Sequence, residues 1–422
     1  MSEARLLDTQ TVEQQPRPAQ DPFSTPLSEL DVARPGLFQK DLHWPFFERL
    51  RREAPVHYCA DSAFGPYWSV TSHRLIKDVD ENHEVFSSEP DITIGDQDAD
   101  FTLPMFIAMD RPRHDDQRKV VQPVVAPRNL ATLESTIRER VCNILDQVPI
   151  GETFNWVDTV SIELTTQMLA TILDFPFADR AKLTRWSDVA TAVPGAGIID
   201  SEAQRRTELL ECLEYFTVLW NERVRKAPGN DMISMLAHGE ATRNMQPMEY
   251  LGNLILLIVG GNDTTRNSIS GGVLALSQFP GGYDKLQRDI SVIPNMVAEI
   301  IRWQTPLAHM RRRALTDFEL NGQQIRAGDK VVMWYVSGNR DESVFADADR
   351  LIIDRENARK HLSFGFGIHR CMGNRLGEMQ LRILWEEIMQ RFDRIELAGP
   401  VERTFSTFVK GYTHLPVVVH PR

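Results

Sequence analysis

Over residues 130–225 apolar side chains recur three and four positions apart, the spacing that lines one face of an α-helix. The pattern predicts helix through this region, with breaks at Phe175-Pro176 and Val193-Pro194-Gly195, where proline removes a backbone donor. A further helix is predicted over 247–279. The preceding part of the chain has mixed periods. Helical spacing over 44–52 gives way to Tyr67-Trp68-Ser69-Val70, a short strand, and returns over 73–86. Residues 89–104 are acidic and have no period, so they read as a long loop of the kind that is functional or disordered. Beyond Arg311 come short alternating pieces: Phe318-Glu319-Leu320 ahead of the turn Asn321-Gly322, then 330–336. Irregular chain leads to a glycine-rich run at 364–373, and an amphipathic helix follows. Residues 1–40, polar and rich in proline, read as an extended tail that wraps or stays mobile. Residues 41–422 read as one domain without repeats or low-complexity blocks.

With 422 residues, 42% hydrophobic and 25% charged, the chain has ample material for a core. A net charge of −12 argues against a general nucleic-acid binder but leaves room for a local basic patch. Cys59, Cys142, Cys212 and Cys371 are widely spaced, so neither a disulfide framework nor a zinc ribbon is indicated, and a reducing cytoplasm fits. Residues 1–20 lack the apolar stretch of a signal peptide, and the longest apolar run, 254–259, is too short to cross a bilayer. The expectation is a soluble cytoplasmic protein.

Four stretches carry candidate chemistry. In Phe364-Gly365-Phe366-Gly367-Ile368-His369-Arg370-Cys371-Met372-Gly373, the glycines permit a tight loop against a flat group. Backbone N–H groups and the following helix N-terminus favour a negative sulfur, so the run reads as a loop presenting the Cys371 thiolate. In Ile258-Val259-Gly260-Gly261-Asn262-Asp263-Thr264-Thr265, two glycines, an acid and two hydroxyls interrupt an apolar helix. Each glycine costs about 1 kcal/mol relative to alanine, and a hydroxyl can bond back to a carbonyl and bend the helix. Broken local rules are expected at functional sites. Glu299 and Arg302 share a helical face at i, i+3. Asp110-Arg111-Pro112-Arg113-His114-Asp115-Asp116-Gln117-Arg118 places His114 and Arg118 one turn apart, and Arg311-Arg312-Arg313 follows Pro306. Taken singly, these charged residues read as surface ion pairs.

Together and in this order, the stretches resemble the cytochrome P450 monooxygenases. Phe364, Gly367, His369, Cys371 and Gly373 match the Phe-x-x-Gly-x-His-x-Cys-x-Gly loop, in which the cysteine is the proximal thiolate ligand of haem b. Gly260, Asp263 and Thr264 match the kinked oxygen-binding helix. There the resemblance implies that the glycine leaves room, the threonine hydroxyl engages dioxygen, and the acid relays protons so that oxygen ends as water rather than peroxide. Glu299 and Arg302 match the Glu-x-x-Arg scaffold, with Arg350 as the implied third member of a buried ionic cluster supporting the cysteine loop. His114, Arg118 and Arg312 match positions that contact haem propionates, the tandem arginines leaving the register open among Arg311, Arg312 and Arg313. The implied fold is mainly α with a small β-region, a triangular prism holding haem between the kinked helix and the cysteine loop.

The wider wording, Gly-Gly-Asn-Asp-Thr-Thr-Arg-Asn-Ser and the run from His361 to Gly373, is similar to the bacterial soluble branch that hydroxylates the terminal carbon of alkanes and fatty acids. Arg266, just beyond Thr265, stands where the broader family places small apolar residues. By family position the substrate pocket should draw on Leu103, Met105, Phe106, Leu256, Val259, Leu307, Ala308, Thr407, Phe408 and Val409. No Gly-x-Gly-x-x-Gly unit is present, since Gly195-Ala196-Gly197 follows a proline and lacks a third glycine. NAD(P)H electrons are therefore expected through an iron–sulfur ferredoxin and its reductase, docking beside Arg370 and Arg375. The competing readings are a thiol hydrolase with Cys371 as nucleophile and His369 as base, a non-catalytic haem protein, and a peroxide-driven haem enzyme. The last two have no use for the acid–alcohol pair Asp263-Thr264.

Overall fold

The computed structural model describes residues 21–422. Its longest element is the helix Pro247–Gln278, about 48 Å at 1.5 Å per residue. Proline occupies its first turn, where no intrahelical donor is lost. Apolar residues surround most of its length, so it is buried on nearly all sides as the core of the helical layer. The helices Glu163–Leu173, Ala181–Thr191, Ile293–Gln304 and Asn374–Arg391 pack around it. Close approach depends on small residues: a Cβ at Gly252 would collide with the Pro104 carbonyl, which brings the end of the 89–104 loop onto this helix.

The β-region is small. A five-stranded sheet runs in the order Val56–Cys59, Tyr67–Val70, Lys330–Met333, Met310–Ala314, Phe86–Ser87. Its single parallel pair joins Tyr67–Val70 to Lys330–Met333. A three-stranded sheet combines Phe154–Asn155, Pro416–Pro421 and Phe392–Leu397, and Phe318–Leu320 pairs with Gln323–Ile325 across the expected Asn321-Gly322 turn. The helix expected over 73–86 ends at Glu81, and Phe86–Ser87 becomes the sheet edge instead. The piece expected over 330–336 is strand only to Met333, then turns into the one-turn helix Tyr335–Gly338.

Residues 21–40 of the amino-terminal tail carry two short helices, Leu27–Glu29 and Pro35–Gln39, and pack against the rest of the chain. Leu30, Val32, Ala33 and Phe38 are buried, and the Phe38 ring stacks on Trp334 with centroids 6.0 Å apart. Residues 1–20 of that tail lie outside the described residues. Among the described residues no helix is long and apolar enough to cross a membrane.

The ionic scaffold forms with one change of membership. Glu299 and Arg302 are fully buried and doubly bonded, Nε to Oε2 at 2.7 Å and Nη2 to Oε1 at 2.8 Å. The third member is Arg355 rather than Arg350: its Nε lies 3.0 and 3.1 Å from the two Glu299 oxygens. Arg350 has an exposed side chain and contributes its backbone carbonyl to Arg302 Nη2 at 3.0 Å. The chain turns between these arginines, and burial of the guanidinium falls to the one that reaches the carboxylate. Glu299→Ala is expected to strand two buried cations, lowering stability by about 3–5 kcal/mol and haem content with it, whereas Arg350→Ala leaves both near wild type. Thermal melting and the haem-to-protein ratio of the purified variants decide it.

Candidate active site

Cys371 and Thr264 border one cavity of about 2300 Å³, although they are carried by elements more than a hundred residues apart. The cysteine loop is shaped by its glycines and by Asp80. Gly365 and Gly367 have φ of +62° and +64°, a region that side chains bearing a Cβ rarely adopt. At Gly367 a Cβ would also stand 2.7 Å from the Asp80 carbonyl oxygen. The Asp80 carboxylate is buried and takes three donors: Arg312 Nη2 and the Tyr335 hydroxyl, each at 2.7 Å, and the Phe366 N–H at 2.8 Å. Below the loop, the Asn339 side chain accepts the Leu362 N–H at 2.7 Å and donates to Ser363 Oγ at 2.9 Å. Its own carbonyl receives Arg302 at 2.7 Å, so the ionic scaffold is tied directly to the start of the loop.

Cys371 is the cysteine whose sulfur opens onto the cavity; Cys59 and Cys212 are buried elsewhere. Burial pushes its thiol up, opposed by the N–H groups of Gly373 and Asn374 and by the Arg118 and Arg370 guanidinium groups. Those four groups are what a thiolate ligand needs around it.

Thr264 faces the cavity and donates its hydroxyl to the Gly260 carbonyl at 2.8 Å. The backbone stays helical through this stretch, so the expected interruption is absorbed and the helix runs on to Gln278. A Cβ at Gly260 would meet nothing within 4 Å, which makes this stretch an open face of the cavity. Asp263 points elsewhere. Its carboxylate is fully buried, bonded through Oδ1 to Arg266 Nη2 at 2.5 Å, while Arg266 Nη1 reaches Asp188 at 2.9 Å. Burial pushes the Asp263 carboxyl up and Arg266 opposes the shift. One position along a helix is about 100° of rotation, so Asp263 and Thr264 do not share a face, and a proton-relay role requires the carboxyl to release Arg266.

The basic groups expected to hold carboxylates divide. Arg118, Arg312 and His369 border the cavity, whereas His114 lies behind His369 with ring centroids 4.3 Å apart. Strand alternation settles the arginine register: Arg312 faces inward with Asp80, and Arg311 turns to Asp96 at 2.5 Å. Arg118 has no ion pair among the described residues and bonds the Arg370 carbonyl at 2.5 Å. Burial, then Arg312, His114 and Arg118, push His369 down to about 2, and among the described residues neither His369 nitrogen nor His114 Nε2 has a hydrogen-bond partner. An unpaired guanidinium and orphaned imidazole nitrogens at the edge of the cavity call for an anionic guest.

Of the ten pocket residues expected, Leu103, Met105, Phe106, Leu256, Val259, Leu307, Thr407 and Phe408 border the cavity. Ala308 and Val409 do not. Ala308 packs with the core around Trp334, and Val409 is buried opposite Leu307 in a short backbone bridge. Ala308 follows Leu307 in the chain, so its side chain turns to the opposite side. Asp80, Arg355 and Asp188, the partner of Arg266, were not singled out from sequence. Arg355 differs from Arg350 only by five positions in a loop, and a lone aspartate on a short helix carries no motif.

A family model described as Cytochrome P450 matches residues 211–410. The linalool 8-monooxygenase of Pseudomonas putida is 36% identical over 93% of this chain and 99% of its own length. The chain belongs to the cytochrome P450 family. A methyl-branched lipid omega-hydroxylase of Mycobacterium bovis is 30% identical over 94% of this chain and 96% of its own length. The solved structure of cytochrome P450-153 from Novosphingobium aromaticivorans superposes with a TM-score of 0.86 at 49% identity, covering 92% of this chain and 99% of that one. This P450 is thus a monooxygenase of bacterial type, and the family implies haem held by a cysteine thiolate, with dioxygen as co-substrate. The site fits that group: one cavity-facing sulfur, a ring of cations and orphaned imidazole nitrogens, and a glycine-open helix face. Asp80→Ala is expected to release Arg312 and the Phe366 N–H together and lower stability by about 3 kcal/mol or more, with haem content falling in parallel. Melting curves and haem stoichiometry measure both.

Proposed function

We propose that this P450 hydroxylates the terminal methyl of a medium-chain alkane or fatty acid, using electrons from a ferredoxin. The observation that carries the reading is the wall of the cavity: Leu103, Met105, Phe106, Leu256, Val259, Leu307 and Phe408 border the space that Thr264 and Cys371 share. Such a wall binds a hydrocarbon chain by burial, at about 25 cal/mol per Å². The methyl C–H bond is stronger than its methylene neighbours, so terminal attack demands that packing hold the chain end forward. The lipid omega-hydroxylase among the relatives supports this choice.

Cys371 supplies the thiolate, and Arg118, Arg312 and His369 take the propionates, with His114 behind them. Bound in this way, haem supplies oxygen activation and the oxidising power for the C–H bond. Thr264 holds a hydroxyl at the cavity face, and Asp263 stands one residue behind it as the proton reservoir, held by Arg266 until it turns. Arg370 and Arg375, both exposed beside the cysteine loop, form the dock for an acidic iron–sulfur partner. Salt should weaken that encounter, because exposed charges are screened within about 8–10 Å.

The linalool 8-monooxygenase among the relatives favours a second reading, the same chemistry on a terpene. Titrating the ferric protein with alkanes, fatty acids, terpenes and steroids, then identifying the oxidised carbon, separates the two. A spectral response and product confined to terpenes or steroids overturns the terminal-hydroxylase reading. Thr264→Ala is expected to keep haem and substrate binding while product per NADH falls roughly tenfold or more and peroxide rises to match. Tightly coupled turnover in that variant refutes the role of the hydroxyl.

A further inference from the structure

Three stretches far apart in sequence wall the cavity: the 89–104 loop, the residues after Pro306, and the C-terminal turn around Thr407. A single side chain, His309, ties them together. It borders the cavity yet has no solvent exposure of its own. Its Nε2 lies 3.0 Å from the Ile94 N–H and its Nδ1 3.0 Å from the Thr407 carbonyl. These partners settle the tautomer. A backbone N–H can only donate and a carbonyl can only accept, so Nε2 is the bare acceptor and Nδ1 carries the proton.

The surroundings keep the ring neutral and fixed. Burial pushes the imidazole down to about 4, and Trp334 and Phe408 pack edge-to-face against it with centroids 4.9 and 5.4 Å away. The neighbouring backbone repeats the connection: the Ala308 N–H bonds the Phe408 carbonyl at 2.8 Å, and the Arg311 N–H bonds the Ile92 carbonyl at 2.7 Å. Those bonds exist whatever the side chains are. The links from Ile94 and Thr407, by contrast, end on an imidazole. They need a rigid group with one donor and one acceptor on different edges, set in an apolar wall.

We infer that His309 is a positioning residue that sets the shape of the substrate-facing wall and thereby which carbon of a bound chain is presented for oxidation. It touches neither the haem ligand nor Thr264, and acts through Ile94, Thr407 and the adjoining Leu307 and Phe408. The inference rests on the chain-end reading above, and its test separates the two.

The experiment uses the holoenzyme with a linear alkane and the fatty acid of the same length as probes. His309→Phe keeps a flat ring and removes both hydrogen bonds; His309→Asn keeps a group able to reach Thr407. With haem content and the ferrous carbonyl band at wild type, His309→Phe is expected to lower the terminal-to-subterminal product ratio by about tenfold, equivalent to about 1.4 kcal/mol between competing transition states. His309→Asn is expected to fall between it and wild type. A wild-type product ratio in either folded, haem-replete variant overturns the inference, as does loss of haem in both, which assigns the residue to fold stability alone. If the wild type itself oxidises some other carbon, the chain-end reading fails, and that carbon becomes the reference against which the shift in the variants is read.

Discussion

Arg302 is a guanidinium without contact to water, and a buried cation is tolerable only when every donor finds an acceptor. All five N–H groups do. Two go to Glu299, and the other three to the carbonyls of Asn339, Ala348 and Arg350. The helix Ile293–Gln304 is thereby locked to the irregular chain that precedes the cysteine loop. Because Asn339 also holds Leu362 and Ser363, the position of the loop follows from satisfying one charge. Asp80 does the same from the other side, collecting Arg312, Tyr335 and Phe366. Both buried ionic centres thus hold the chain that carries Cys371, the first at Leu362 and Ser363 and the second at Phe366.

The distal side follows a different rule. The central helix can border a cavity because Gly260 leaves its face bare and the Thr264 hydroxyl is held by the Gly260 carbonyl. Charge is kept off that face: Asp263 is drawn back by Arg266, which Asp188 helps to hold. What remains toward the cavity is apolar apart from a few hydroxyls. Cations gather at one edge, around Arg118, Arg312 and His369, a polarity suited to a cofactor with an anionic rim, and a second polar margin with Asp98, Asp100, Arg205 and Arg206 borders the same cavity.

Much of this was legible beforehand. The long apolar stretch opened by Pro247 located the Pro247–Gln278 helix to within a residue, and prolines marked the breaks near Pro176 and Pro194. Cys371, Thr264 and Gly260 were legible because their residue types conflict with their local context. Arg355 was not. Two arginines five positions apart in an irregular loop are equivalent in sequence, and only the turn of the chain decides which guanidinium meets Glu299. That Ala308 and Val409 pack away from the cavity was invisible for the same reason, as it depends on contacts with segments distant in the chain.

Taken alone, the amino-acid order determined that this is a helix-rich chain with a cysteine loop, an acid–alcohol pair and a Glu-x-x-Arg helix, since each is a short-range pattern with its own chemical logic. Tertiary structure decided what those groups face: that Asp263 turns to Arg266 rather than to the cavity, that Arg312 is the inward arginine, and that His309 joins three walls. Orientation is set by which distant partner satisfies a buried donor or charge. Spacing along the chain carries no record of that choice.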